Sequence, residues 1–295
     1  MKKQEIFRGI GTALITPFKN ESIDYSSLER LIEFQIESGV DALIIGGTTG
    51  EAATLTDAER YELYKKAKEL TGKRCKLIFG TGTNDTRVAI KHTEFASKLG
   101  CDGVLLVTPY YNKGTTDGII KHYEAISDAC DLPMLLYNVP SRTGVNLTIE
   151  ILLRLKEREN IVGIKEASDS HDRLLALAAI GDSLKLYAGN DSQIHSVLSL
   201  GGSGVISVVS NLFPCETSEI FKRHEIRDIE GSLAYQKKLM GVINALFLET
   251  NPAPIKYAMA KEGLCTADMR LPMWLPTEAS RKKIDEAIAN FRKIG

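Results

Sequence analysis

The sequence is poor in several features that define large classes of protein. It has one tryptophan and five cysteines in 295 residues, and 37 basic residues against 38 acidic ones leave a formal net charge of −1. No apolar run approaches the roughly 20 residues of a membrane-spanning helix. The opening residues, MKKQEIFRGI, lack the apolar core of a signal peptide. We therefore expect a cytoplasmic protein that binds neither nucleic acid nor a membrane.

The cysteines and histidines form no recognisable ligand or disulfide pattern. The cysteines are odd in number, far apart and without a CxxC pair, which argues against a disulfide framework and against a zinc site. The five histidines have no metal-ligand spacing either. We predict no bound metal and a reducing compartment.

Short apolar runs alternate with longer amphipathic segments along most of the chain. The runs begin at Gly9, Asp41, Cys75, Gly103, Leu132, Ile161, Leu184 and Gly204. Eight strand–helix units predict an α/β fold of a single (β/α)8 TIM barrel. A doubly wound open sheet is the alternative, but its usual GxGxxG turn is missing from the first run, GIGTALITPF.

The pattern changes after the eighth run. Helical periodicity continues without further strands over Phe213–Arg223, Ile229–Leu248, Pro254–Glu262 and Thr277–Lys293. We predict that residues 1–225 form the barrel with the catalytic site. Residues 226–295 would form a C-terminal helical extension packed on it.

The stretch IVGIKEAS places Lys165 at the carboxyl end of a strand predicted to be buried on both faces. Burial disfavours the charged form of an amine, and a neutral lysine is suited to forming a Schiff base with a carbonyl. The alternative is a lysine that leaves the sheet and pairs with Glu166 in solvent.

Other polar residues follow the neighbouring strands, where the active site of a TIM barrel lies. The turn GGTTGE could bind an anion through its backbone N–H groups or be only a tight turn. Tyr137 could act as a general acid and base or be a packing residue. Arg142 could bind a carboxylate with its guanidinium fork or be solvated.

Five motifs in this order and spacing carry a resemblance: GGTTGE, VTPYYNK, YNVPSRTG, GIKEASD and GGSGVIS. Together they resemble the pyruvate-dependent class I aldolases of the dihydrodipicolinate synthase and N-acetylneuraminate lyase superfamily. The similarity runs from about Gly9 to Ala258. The double threonine and Arg142 of SRTG resemble the dihydrodipicolinate synthase branch most.

The resemblance implies a mechanism. Lys165 would form an imine with pyruvate, so that no metal or organic cofactor is needed. Thr48 and Thr49 would hold the carboxylate of pyruvate. Tyr137, Thr49 and Tyr111 would form a proton relay.

The resemblance also implies a second substrate and an assembly. Arg142 would hold the carboxylate of aspartate semialdehyde, and Gly189 and Ile206 would line the pocket through backbone carbonyls. The activity implied is the condensation of the two substrates in the diaminopimelate pathway of lysine biosynthesis. The family implies a homo-oligomer, commonly a tetramer built as a dimer of dimers although dimers also occur, in which Tyr111 crosses the tight dimer interface.

Three positions depart from family members that lysine inhibits. These members use a histidine pair and a glutamate, where this chain has Asp57, Arg60 and Val88. We predict little or no feedback inhibition by lysine.

Two other functions stay open: an aldolase that cleaves a sugar acid such as N-acetylneuraminate or a 2-keto-3-deoxy sugar acid, and a keto-acid sensor without turnover.

Overall fold

Eight parallel strands pair in chain order, and the last pairs with the first to close a barrel. The computed structural model describes residues 3–294. The strands are short, buried and mostly apolar, as expected of a parallel sheet that helices cover. They are β1 (Gly9–Ala13), β2 (Ala42–Ile45), β3 (Lys76–Gly80), β4 (Gly103–Val107), β5 (Met134–Asn138), β6 (Ile161–Glu166), β7 (Lys185–Ala188) and β8 (Gly204–Ser207). The predicted barrel is confirmed.

Helices connect successive strands and surround the barrel. They are α1 (Tyr25–Glu37), α2 (Asp57–Thr71), α3 (Thr86–Lys98), α4 (Thr116–Ala129), α5 (Pro140–Thr143), α6 (Ile149–Leu155), α7 (His171–Ala178), α8 (Ile194–Ser199) and α9 (Pro214–Glu225). Helix α2 begins with a capping box, in which Thr56 and Glu59 each bond to the other's backbone N–H. The sequence patterns missed α5, α8 and a hairpin of Phe18–Lys19 with Ser22–Ile23.

Strand register decides which side chains meet inside the barrel. Lys165 on β6 lies opposite Tyr137 on β5 and Tyr187 on β7. Tyr137 and Tyr187 belong to the cluster of apolar residues that fills the barrel, whereas Ile164 packs on the outside against the helices. Since side chains alternate between the two faces of a strand, Lys165 points inward and Glu166 outward.

Three further helices follow the barrel: α10 (Ile229–Leu246), α11 (Ala253–Lys261) and α12 (Glu278–Ile294). Helix α10 packs against α9 and α12, and Phe213 and Phe291 meet edge to face with ring centroids 4.9 Å apart. The boundary between barrel and extension after residue 225 stays a prediction. Within residues 3–294, no helix is both long and apolar enough to cross a membrane.

Candidate active site

Lys165 is buried inside the barrel at its carboxyl end. Its residue surface is 5% exposed, and its Nζ lies 4.2 Å from the centroid of the Tyr137 ring. A lysine nitrogen at this distance over the face of an aromatic ring is in van der Waals contact with it and, when protonated, is attracted by the ring's negative quadrupole. The alternative, in which Lys165 pairs with Glu166 in solvent, is wrong because both residues are buried on opposite faces of β6.

Glu166 holds the end of β6 from the outer face. Its carboxylate accepts hydrogen bonds from the Asn138 side chain at 2.9 and 3.1 Å, from the Ser168 backbone N–H at 2.9 Å and from Arg173 Nε at 2.7 Å. The carboxylate is fully buried, and these donors compensate for its lost hydration. The network therefore fixes the strand end that presents Lys165.

The turn GGTTGE adopts a tight, partly left-handed conformation. Gly46 has a φ of +66° and Glu51 a φ of +52°, a region that residues other than glycine rarely adopt. The backbone N–H of Glu51 donates to the carbonyl of Thr48 and closes the turn. The N–H groups of Thr48 and Thr49 find no acceptor among residues 3–294. They are available to bind an anion.

A cavity of about 320 Å³ opens at the carboxyl ends of the strands. It brings together six residues predicted for the site: Thr48, Thr49, Tyr137, Arg142, Lys165 and Gly189. Arg142 Nη2 donates to the backbone carbonyl of Asn251 at 3.0 Å. Only glycine fits at position 189, because a Cβ there would lie 2.6 Å from the Cβ of Ala167 and 2.7 Å from the Glu166 carbonyl oxygen.

Two predicted residues do not line this cavity. Tyr111 is 83% exposed and lies in the loop after β4 with a φ of +71°. Ile206 is fully buried in the apolar cluster inside the barrel. The roles predicted for both residues, and those of the six that line the cavity, stay predictions.

The sequence motifs assign no role to two buried residues of the cavity wall, Asp191 and Asn251. Asp191 Oδ2 accepts from the backbone N–H groups of Val208 and Val209 at 3.0 Å. Burial raises the pKa of Asp191, an effect that hydrogen bonds from the Ser207 side chain and from these N–H groups, and then the charge of Lys165, partly offset. Asn251 begins the run NPAPIK, and only the fold shows that this run reaches the cavity.

The described residues of this site include no cluster of metal-binding side chains. No group of three or more histidine, cysteine, aspartate or glutamate residues is placed to hold a metal ion in the described part of the chain. The five cysteines are free thiols, and none lines the cavity.

A profile of the Dihydrodipicolinate synthetase family matches residues 6–291. The chain belongs to this family. A 4-hydroxy-tetrahydrodipicolinate synthase of Clostridium novyi (strain NT) is 44% identical over 289 residues, which cover 98% of each chain.

Solved structures of the family superpose closely on this chain. The dihydrodipicolinate synthase of Thermotoga maritima gives a TM-score of 0.95 at 40% identity and covers 98% of this chain and 99% of its own. The chloride-inhibited enzyme of Acinetobacter baumannii, solved in complex with pyruvate, has the same TM-score, identity and coverage. The fold and the family predicted from the motifs are thus confirmed.

Proposed function

We propose that the protein is a 4-hydroxy-tetrahydrodipicolinate synthase, a lyase of the class I aldolase type. It condenses pyruvate with L-aspartate 4-semialdehyde in the diaminopimelate pathway of lysine biosynthesis. One observation carries the proposal: the buried amine of Lys165 lies against the Tyr137 ring in a cavity that also holds Arg142. Curated relatives from Clostridium novyi and Geobacter sp., which are named for this activity, support it.

In the first half of the reaction, the amine of Lys165 attacks the keto carbon of pyruvate. The carbinolamine loses water and leaves an imine between Lys165 and the former keto carbon. Thr48 and Thr49 hold the pyruvate carboxylate through their unpaired N–H groups. Tyr137, beside the amine, protonates the departing hydroxyl group and is then reprotonated through Thr49 and Tyr111.

In the second half, the protonated imine gives up a methyl proton to the relay of Tyr137, Thr49 and Tyr111 and becomes an enamine, because the imine nitrogen withdraws electrons from the adjacent carbon. The enamine carbon forms a bond with the aldehyde carbon of the semialdehyde, which restores the imine, and the aldehyde oxygen takes up a proton from the same relay. The semialdehyde's amino group then attacks the imine carbon, closes the ring and breaks the bond to Lys165. Arg142 holds the carboxylate of this second substrate with its guanidinium fork.

We propose that the working form is a homotetramer built as a dimer of dimers. The exposed Tyr111 supports this assembly, since an aromatic side chain 83% exposed on a loop is available to a neighbouring subunit. In the assembly, Tyr111 would enter the partner's site and complete the relay. The backbone carbonyls of Gly189 and Ile206 would line the substrate pocket.

We also propose that turnover needs no metal or organic cofactor, because the covalent imine supplies the electron sink. Exhaustive dialysis against a chelator should leave the rate unchanged. A rate that falls and returns on addition of a divalent cation would contradict this part of the proposal.

Trapping with borohydride tests the central step. Incubation with pyruvate and borohydride should leave a stable adduct that peptide mapping places on Lys165, and Lys165→Ala should give none. An unmodified wild-type protein would end the enzyme proposal and favour a keto-acid sensor. Faster turnover of N-acetylneuraminate or a 2-keto-3-deoxy sugar acid than of aspartate semialdehyde would favour a sugar-acid aldolase, against which Arg142 argues.

A further inference from the structure

The segment Asn251–Lys256 of the sequence NPAPIK has no role in the mechanism above. It comes from the C-terminal extension, about 200 positions from the turn GGTTGE. Nevertheless, side chains at both ends of the segment bond to that turn, Asn251 to Thr49 and Lys256 to Glu51. The extension therefore contacts the part of the site assigned to the pyruvate carboxylate.

Asn251 contacts two groups that the mechanism assigns to different substrates. Its Nδ2 donates to Thr49 Oγ1 at 3.0 Å, and its backbone carbonyl accepts from Arg142 Nη2 at 3.0 Å. A hydroxyl oxygen that accepts one hydrogen bond keeps its own hydrogen free to donate. The contact therefore directs the Thr49 hydroxyl hydrogen away from Asn251. Asn251 is 5% exposed, and its buried Oδ1 has no partner within residues 3–294.

Lys256 anchors the other end of the turn. Its Nζ is fully buried, bonds Glu51 Oε1 at 2.5 Å and donates to the backbone carbonyl of Asp268 at 2.9 Å. The second oxygen of Glu51 accepts from the backbone N–H of Arg270 at 3.1 Å. Glu51 is the residue with the left-handed backbone, so its bonds to Lys256 and Arg270 hold the turn where its conformation is least favourable.

We propose that Asn251 is a positioning residue for the condensation, with the Lys256–Glu51 pair as the anchor of the turn it acts on. The inference rests on the proposed function and adds to it. Asn251 sets the direction in which the Thr49 hydroxyl passes a proton.

Asn251→Leu tests the proposal because it keeps the branched shape of the side chain and the backbone carbonyl that holds Arg142, but removes both polar atoms. We expect kcat to fall about tenfold or more, as for one hydrogen bond that acts in the transition state. The KM for pyruvate should stay within about twofold, since the N–H groups that hold its carboxylate are intact. Asn290→Leu, on the exposed face of α12, is the matched control and should behave as wild type.

A second variant covers the case in which Asn251→Leu does not fold. Asn251→Asp has the same shape, but its carboxylate can only accept from Thr49 and so reverses the bond. We expect a loss of kcat at least as large, and a pH–rate profile whose shape differs from that of wild type. If either folded variant keeps kcat within about twofold of wild type, the proposal is overturned.

The anchor has its own test. The double variant Glu51→Gln/Lys256→Met removes both charges and avoids leaving one of them buried alone. We expect its KM for pyruvate to rise about tenfold, while Lys261→Met, an exposed lysine on the same helix, leaves KM unchanged. An unchanged KM in the double variant would overturn the anchoring role. Borohydride trapping of the wild type separately tests the proposed function, so the two failures are distinguishable.

Discussion

Arg173→Met is expected to destabilise the protein strongly through the network behind Lys165. Arg173 Nε donates to Glu166 Oε2 at 2.7 Å, and its Nη2 donates to the Leu147 carbonyl at 2.6 Å. The arginine side chain is 9% exposed and the glutamate side chain is fully buried. Methionine fills much of the volume but leaves the carboxylate of Glu166 without its counter-charge. Removing one partner of a buried ion pair costs about 3–5 kcal/mol.

This loss of unfolding free energy corresponds to a fall in the melting temperature. At about 2.1 cal/mol/K per residue, a chain of this length has an unfolding entropy of about 0.6 kcal/mol/K. The expected fall in Tm is therefore about 5–8 °C, measured by calorimetry on the oligomer at fixed protein concentration. Because Glu166 follows Lys165 on β6, kcat should also fall, while the KM for pyruvate changes less.

Two further variants make the test specific. Arg87 pairs with Asp85 at 3.0 Å but is 89% exposed, so Arg87→Met should leave Tm unchanged. Glu166→Gln/Arg173→Met should recover part of the lost Tm because no buried charge remains unpaired. If Arg173→Met melts within about 2 °C of wild type, as expected of an exposed pair, the reasoning is refuted.

Three further predictions concern assembly, pH and regulation. Lys165→Ala and Tyr111→Phe chains, each with low activity alone, should regain activity when refolded together, and no gain would contradict a Tyr111 that crosses the interface. Burial lowers the pKa of His122 to about 4. In the unfolded chain the same imidazole has a pKa of about 6.5, so as pH falls it is protonated in the unfolded state before it is protonated in the folded state. Up to about 3 kcal/mol of stability should thus be lost from pH 6.5 to 4, and pH-dependent melts of His122→Gln should show a smaller loss. L-Lysine should not inhibit the enzyme at sub-millimolar concentration. Val88 lacks a carboxylate that could bind its amines, and the Arg60 guanidinium is bonded to the Ala52 carbonyl at 2.7 Å. Inhibition in a lysine titration would contradict this prediction.

The barrel could be predicted because its signal is local. Each strand is a short apolar run, and each long helix has an apolar face that the sequence shows as a periodic pattern of apolar residues. The order of the polar residues after the strands could also be predicted, since a parallel barrel brings the carboxyl ends together. Lys165 and Tyr137 could be placed as neighbours for that reason, and the register shows them side by side.

The features of the fold and of the site that could not be predicted depend on contacts between segments far apart in the sequence. Nothing near Glu166 in the sequence indicates that it faces outward and pairs with Arg173, because that depends on the strand's register in the closed barrel. Helix α5 is a single turn over PSRT, too short for periodicity to detect. Asn251 reaches Thr49 only because the extension folds back over the mouth of the barrel.

The outer face of β6 and the mouth of the barrel differ in how their buried polar groups are satisfied. On the outer face, the buried carboxylate of Glu166 is bonded to side-chain and backbone donors. At the mouth, Oδ1 of Asn251 is buried without a partner among residues 3–294. Since an unsatisfied buried polar atom costs about 1–3 kcal/mol, this atom is retained at a cost to stability. Substrates that bind only the folded protein offset such a cost by mass action, and we expect pyruvate and the semialdehyde together to raise Tm more than pyruvate alone.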